Sequence, residues 1–465
     1  MKVEPAAGSY VRDRLAQIVL SISYEDLRVD AIKEAKRLII DTLACAFGGY
    51  ASPPSKIVRE TVRELGGTSE ATIIGSGNRT SCALATLANG TMMRYLDNND
   101  YYIGRDPSHT SGNLAPALAV AERQGASGKD LLLSFVVAYE VQIRLCDFAG
   151  LPNIWERGWH HATNMQFASA ALSSRLLKLD ESQTANAIAI AASHNNTLAQ
   201  SQRGNIPMMK ASAEATIAKG GVEAALLAKN GLTGPDEIFE GHLGWARCVA
   251  GEMDFEKFLT PFDKKHPRIL DTCMKPYAAE AMTMAPIQAS IDVIQKNKIN
   301  PSDIKSAVIR FPHYALNKPS WDPKKFDPRN RETADHSFMY CTAVAMLDGE
   351  CGPNQFTAEK LASSVVRQLM AATTLITDPE LTKLWPYSAG GAAEVTLKSG
   401  KKYESVCEYP PGHPENRCSD EVVEGKFRRL SKGLLTDAQQ QRIIDAIWAI
   451  DECGNVSDFM RLLTV

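Results

Sequence analysis

The run GKDLLLSFVVAYEVQIRLC, ending at Cys146, is apolar on almost every helical face. A helix of that kind has no wet side, so other elements must enclose it. Its sequence neighbours supply them. Residues 30–48, DAIKEAKRLIIDTLACAFG, align Ile32, Ala35, Leu38, Ile39, Leu43 and Ala46 on one helical face. The pattern returns at 82–96, through Leu84, Leu87, Met92 and Leu96, and again at 114–122. Alanine-rich segments follow at 167–192 and 213–229, and small residues on successive helices let backbones approach closely. A helical bundle is expected up to about residue 265.

Beyond that point the pattern changes. PFDKKHPRILDTCMKPY is rich in proline and charge and reads as an interdomain crossing. A helix is expected at 279–296, then a strand in IKSAVIRFP, where Ala307, Ile309 and Phe311 alternate as on a half-buried sheet. Another helix is expected at 336–347, and a hairpin at 392–408 that turns at Lys398-Ser399-Gly400-Lys401. Helical periodicity resumes from about 420. The fold class that follows is mainly α: an all-helical bundle domain of residues 1–267 and 409–465, interrupted by a smaller α+β domain of residues 268–408. A cleft between two such bodies is a common place for a small-molecule site.

Bulk properties narrow the function. A chain of 465 residues is too long for one core. Its formal net charge of −3 supplies no basic field, which argues against nucleic acid as a partner. No apolar run reaches the length of a membrane span, so no membrane partner is expected. The opening MKVEPAAGSYVRDRLAQIVLSIS, with Glu4 and Asp13, lacks a signal-peptide layout, and the expected location is cytoplasmic. The ten cysteines are scattered, without a C-x-x-C pair or zinc-finger spacing, and read as reduced thiols mostly in the core. HExxH is absent and DNNDYY lacks the glycine and third ligand of a calcium loop, so no metal is expected. GSGNRT at 75–80 lacks the third glycine of a dinucleotide fingerprint, and neither GxxxxGK[ST] nor GxSxG occurs. No cofactor is expected.

Four polar spots remain. YLDNNDYYIGRDPSHTSGN at 95–113 gathers Asp97, Asp100, Asp106 and His109 between apolar stretches. RGWHHATN carries His160 and His161, of which at most one is expected to face a site, because neighbouring side chains diverge. RGNIPMMKASAEA sets Lys210 beside methionines and alanines, where a buried ammonium is costly unless an anion meets it. CMKPYAAEAMTM carries Lys275 and Glu280. Around them lie His313 and Tyr314 in RFPHYALNKP, and Asp335 and His336 in RETADHS. Each has a plainer alternative: Asp106-Pro107-Ser108 opens a turn, and Asp335 caps the helix that His336 begins. Unaided, these residues describe groups suited to proton transfer on a small anionic substrate, and stop short of a reaction.

Together they resemble the MmgE/PrpD family, which includes 2-methylcitrate dehydratase and cis-aconitate decarboxylase. KFDPRNRETADHSFMYCTAVAMLDG at 325–349 is close to the family's DPxxRETADHSxxYxxAxAxLDG signature. RYLDNNDYY resembles its LDFNDT segment, SHTSGN its HPSGx segment, ERGWHHA its R-G-F-H element and MKPYAAE its K-x-[YF]-P-A-[EH] element. The similarity covers nearly the whole chain in the expected order. It implies an all-helical domain interrupted by an α+β lid, usually in a homodimer. It also implies that His109, His160, Lys210, Lys275 and Tyr314 match pocket residues of the decarboxylases, with Asp97 beside them. At Glu280 the decarboxylase pattern has a histidine, whereas the dehydratase pattern FPAEFH has glutamate, so this chain sides with the dehydratases. It departs from them too, with Ala278 in place of a proline and no histidine after Glu280.

The activity implied is metal-independent elimination of water from a hydroxy-tricarboxylate such as 2-methylcitrate or citrate. Lys210 and Lys275 are expected to neutralise substrate carboxylates, and His109 and His160 to serve as base and acid, in an order the sequence does not assign. Asp97 is expected to orient an imidazole, and Tyr314 to donate to a carboxylate or relay a proton. Asp100, His161, Glu280 and His336 are expected to complete the binding of a di- or tricarboxylate. The same groups suit decarboxylation of cis-aconitate to itaconate, epimerisation of a small dicarboxylate or, in a non-catalytic relative, anion binding alone.

Overall fold

The computed structural model describes residues 10–148, 154–317 and 322–465; Glu4 lies outside the described residues. The apolar run forms the helix Gly128–Phe148, buried without interruption from Leu131 to Cys146. Met165–Leu176 packs along it and against Lys210–Lys229, which in turn lies on Cys82–Tyr95. Small residues are a steric necessity at these crossings. A Cβ on Gly90 would stand 2.8 Å from the Ala215 Cβ, and one on Gly221 2.5 Å from the Ser169 Cβ. The helix Val29–Gly49 packs on Cys82–Tyr95 and on the returning helix Asp420–Ser431, which closes the bundle. The 167–192 segment is two helices, Met165–Leu176 and Glu181–His194. Lys178 breaks them with φ +56, and Asp180 caps the second by accepting from the Gln183 N–H.

A two-stranded ribbon, β1 (Ala71–Thr72) and β2 (Arg79–Thr80), folds back through the glycines of GSGNRT. The interrupting domain is built on β3 (Ile304–Phe311), β4 (Thr373–Thr377), β5 (Gly391–Leu397) and β6 (Lys402–Cys407), in the order β4-β3-β5-β6. β5 and β6 form the expected hairpin, with Ala393 opposite Ser405. β3 runs antiparallel to β5 and parallel to β4. The edge strand β4, TTLIT, has no counterpart among the sequence-based expectations, because so short a run shows no decisive alternation. The helix Met284–Lys296 packs on β5 and β6 and against Phe338–Asp348.

Two helix starts differ from expectation. The helix expected at 279–296 begins at Met284, after a turn capped by Glu280, whose carboxylate accepts from the Met282 N–H at 3.0 Å. The helix expected at 336–347 begins at Phe338, where the Ser337 hydroxyl accepts from the Tyr340 N–H at 3.1 Å. Serine is the N-cap, so Asp335 and His336 occupy the break after the short helix Arg331–Ala334 and are released to other partners.

Among the described residues two large hydrophobic cores are accompanied by a small third cluster of Ala162, Met165, Ile217 and Ala218. One draws on residues 11–274 and 423–463, the other on residues 273–407 together with Tyr101 and Ile103. Tyr101 exchanges two backbone hydrogen bonds with Cys273, each 2.8 Å, so the polar stretch at 95–113 lies on the seam. The two crossing segments run side by side, with the Met274 N–H donating to the Gly412 carbonyl at 2.9 Å. All ten cysteines are free, and most are buried. No helix among the described residues is long and apolar enough to cross a membrane.

Candidate active site

The helix Cys82–Tyr95 ends in a turn where Asp97 takes φ +51, a left-handed conformation that a non-glycine residue rarely adopts. Its carboxylate becomes the centre of a buried cation cluster. Arg94 Nη1 donates to Oδ1 at 2.7 Å, and Lys275 Nζ, from the crossing segment, donates to the same oxygen at 2.6 Å. Lys210, the first residue of its helix, donates to Oδ2 at 2.7 Å. All four residues are 5% exposed or less. Any one of these charges alone would be expensive at that depth; paired and hydrogen-bonded, they hold one another. The Asp97 carboxyl would be raised by burial, but Arg94, Lys210 and Lys275 outweigh burial and hold it well below the usual carboxylate range. Burial lowers the Lys275 ammonium, with Asp97 opposing. The anion that Lys210 requires is therefore supplied within the chain. Asp97, expected to orient an imidazole, instead gathers ammonium and guanidinium groups, and His336 Nε2 stands 3.7 Å from it.

Three imidazoles line up beside this cluster. His109 Nδ1 lies 2.7 Å from the Asp100 carbonyl oxygen, which can only accept, so Nδ1 carries the proton and Nε2 is the basic nitrogen. Burial, then the charges of Arg94 and Lys275, hold His109 well below the usual histidine range and keep the ring neutral. Asp100 is a brace: its carboxylate accepts from the Ser111 N–H at 3.0 Å and the Tyr139 hydroxyl at 2.7 Å, and burial raises it to about 6. His160 Nδ1 accepts from the Ala162 N–H at 2.9 Å and so caps a turn, while its buried Nε2 has no partner among the described residues. The His161 ring centroid is 4.1 Å from that of His160 and 5.3 Å from that of His109.

His161 Nε2 lies 3.4 Å from Glu214 Oε1, which also accepts from Arg94 Nε at 2.9 Å. Burial would raise the Glu214 carboxyl, but Arg94 and the hydrogen bond from His161 bring it to about 2. Neither Arg94 nor Glu214 is among the residues singled out from the sequence. Spacing carries the signal, since Lys210 and Glu214 are one helical turn apart and Arg94 is three residues before Asp97.

A narrow pocket opens at the seam, walled by Arg94, Asp97, His109, His161, Glu280 and His336, with Tyr101, Trp155 and Gln202 around them. As it stands, its free volume of about 30 Å³ suits a water or two. Lys210 and Lys275 stand behind Asp97, and His160 and Asp100 also lie outside the walls. Tyr314 lies outside them too: its hydroxyl donates to the Arg105 carbonyl at 2.8 Å and its ring stacks on Trp385 at 3.8 Å, fastening the α+β domain to the loop that carries Asp106 and Pro107. His336 bonds Asp335 through Nδ1, and Lys210 Nζ lies 3.5 Å from both. Burial and the Lys210 charge lower His336 to about 4.

The seam is latched beside the pocket by the loop before Lys210. The Gly204 N–H donates to Asp322 at 3.1 Å, Lys325 Nζ to the Gly204 carbonyl at 2.6 Å, the Ile206 N–H to Thr333 at 3.0 Å, and Asn330 to the Ile206 carbonyl at 2.8 Å.

Among the described residues two groups have donor atoms within 4.8 Å of one another: His109, His161 and Glu214, and Asp97, Asp335 and His336. The Lys210 ammonium already holds the place of a cation in the second, and the Arg94 guanidinium lies on the carboxylate of the first.

Residues 13–257 match the MmgE/PrpD N-terminal domain, and residues 277–452 the MmgE/PrpD C-terminal domain. The chain is 26% identical to the cis-aconitate decarboxylase-like protein oryM of Aspergillus oryzae, covering 98% of this chain and 97% of that one. It is 26% identical to cis-aconitate decarboxylase of Homo sapiens, covering 97% and 94%. It is 24% identical to 2-methylcitrate dehydratase of Salmonella typhimurium, covering 91% of each.

Proposed function

The chain belongs to the MmgE/PrpD family, and from that premise we propose that it is a lyase that eliminates water from a hydroxy-tricarboxylate such as 2-methylcitrate or citrate. The observation that carries the reading is one pocket walled by three imidazoles, those of His109, His161 and His336, and floored by a carboxylate that binds three cations. His109 Nε2 removes the proton from the carbon beside a substrate carboxylate. Charge building on that carboxylate is met by the Arg94 guanidinium in the pocket wall, which Asp97 holds in place with Lys210 and Lys275 behind it, positioned in advance. The electron pair of the broken C–H bond forms the double bond. The C–O bond breaks, and a proton from the His160–His161 pair turns the departing hydroxyl into water. Glu280 contributes a carboxylate, not an imidazole, to the pocket wall, which favours the dehydratase over the decarboxylase.

A second reading, decarboxylation of cis-aconitate, is favoured by the near full-length match to decarboxylases. It uses the same cations and a proton donor but has no leaving hydroxyl. Incubation with 2-methylcitrate, citrate and cis-aconitate, followed by mass spectrometry, separates the two. Loss of water from a hydroxy acid supports elimination, and release of carbon dioxide supports the second reading. If none of the three acids is consumed, both are wrong.

A further inference from the structure

We infer that His161, positioned by Glu214, is the imidazole that exchanges a proton with the substrate, and that His160 behind it is a structural cap. The inference rests on the elimination reading for the identity of the substrate, but the pairing itself does not. The adjacent histidines are committed differently. His160 spends Nδ1 on the Ala162 N–H and closes a turn, with its ring outside the pocket wall. His161 is in the wall, 3.4 Å from Glu214.

Glu214 comes from the helix that Lys210 opens, and Arg94 bridges it to Asp97. Arg94, itself in the pocket wall, thus locks the imidazole's partner to the Asp97 cluster. The effect is mutual: His161 lowers the Glu214 carboxyl, so the Glu214 carboxylate favours a proton on His161. Across from it, His109 is kept neutral with Nε2 basic. A neutral imidazole with a basic Nε2 and a second imidazole held on a carboxylate make an acceptor and a donor. The titratable and charged groups facing His161 are Glu214, Arg94, His109 and His160, with Asp97, Asp106, Glu280 and His336 sharing the pocket. In the reaction His161 gives a ring proton to the leaving hydroxyl as the C–O bond breaks, while His109 takes the C–H proton. Solvent exchange then resets both rings, so protons balance over a turnover.

The test uses full-length H161Q, H160Q and E214Q. Without substrate, the His161 ring C–H signals, assigned by their loss in H161Q, are titrated by NMR. In E214Q their midpoint is expected to fall by about one pH unit, a tenfold loss of preference for the proton. With the acid the wild type consumes, H161Q is expected to lower kcat by about 100-fold with KM little changed. H160Q is expected to lose less, and E214Q to move the alkaline limb of kcat to lower pH. If E214Q fails to fold, E214D retracts the charge and is expected to give a smaller shift in the same direction. A larger kcat loss in H160Q than in H161Q, or an unmoved His161 midpoint in a folded Glu214 variant, overturns the inference. A midpoint shift with no turnover of any acid upholds the Glu214–His161 pair and sinks the elimination.

Discussion

Asp97 receives Arg94, Lys210 and Lys275 within 2.7 Å, and removing its charge strands three buried cations. Asp97→Asn is expected to destabilise the protein by about 3–5 kcal/mol, measured by urea unfolding, because an uncompensated buried charge costs more than the pair contributes. A loss below about 1 kcal/mol, the range of exposed pairs, would contradict this account of the cluster. His109→Ala is expected to slow turnover by ~10²–10⁴-fold, the contribution of one acid/base group, with folding intact. The residues of this centre were unequally legible. Lys210 stood out because an ammonium among alanines demands an anion, and Asp97 and His109 because they interrupt apolar stretches. Arg94 and Glu214 sit inside small-residue helices, where a lone charge reads as a solvent-facing residue. Only the packing of those helices against each other reveals that the two charges meet.

At the scale of elements, the break at 335–337 places His336 and Asp335 against Lys210, and Ser337 sets its position by capping the next helix. Ser337→Ala is expected to cost about 1 kcal/mol in denaturant unfolding, the usual value of a lost N-cap. No measurable change would mean that the cap does not fix the break. The helices themselves were legible wherever apolar periodicity was sustained, as at Val29–Gly49 and Gly128–Phe148. Their starts were less so at 284 and 338, because Glu280 and Ser337 cap locally while the periodic pattern extends beyond them. β4 escaped because its place at the sheet edge depends on a parallel pairing with β3, remote in sequence.

For the whole molecule, the shift in composition after residue 265 marked the seam between two cores, but not the latch from residues 204–206 to residues 322–333, which joins distant segments. Burial also makes the molecule acid-sensitive. His109, His160 and His336 are all lowered from the usual histidine range, so between neutral pH and about 4 the unfolded chain binds protons that the folded chain refuses. Stability therefore falls as pH falls through that window. Asp100, raised to about 6, opposes the trend together with Glu34 and Asp41, which burial also raises, while His413, lowered by burial, adds to it. The melting temperature is expected to be lower at pH 5 than at pH 7; a higher one would mean these rings are protonated in the folded state.

The most direct test of the central claim follows ultraviolet absorbance after adding 2-methylcitrate, or citrate, to the wild type and to His109→Ala. Elimination predicts a rise in the wild type from the new conjugated double bond, matched to the water lost, and at least about 100-fold slower in the variant. No rise with either acid, or equal rates in the two proteins, would contradict the assignment.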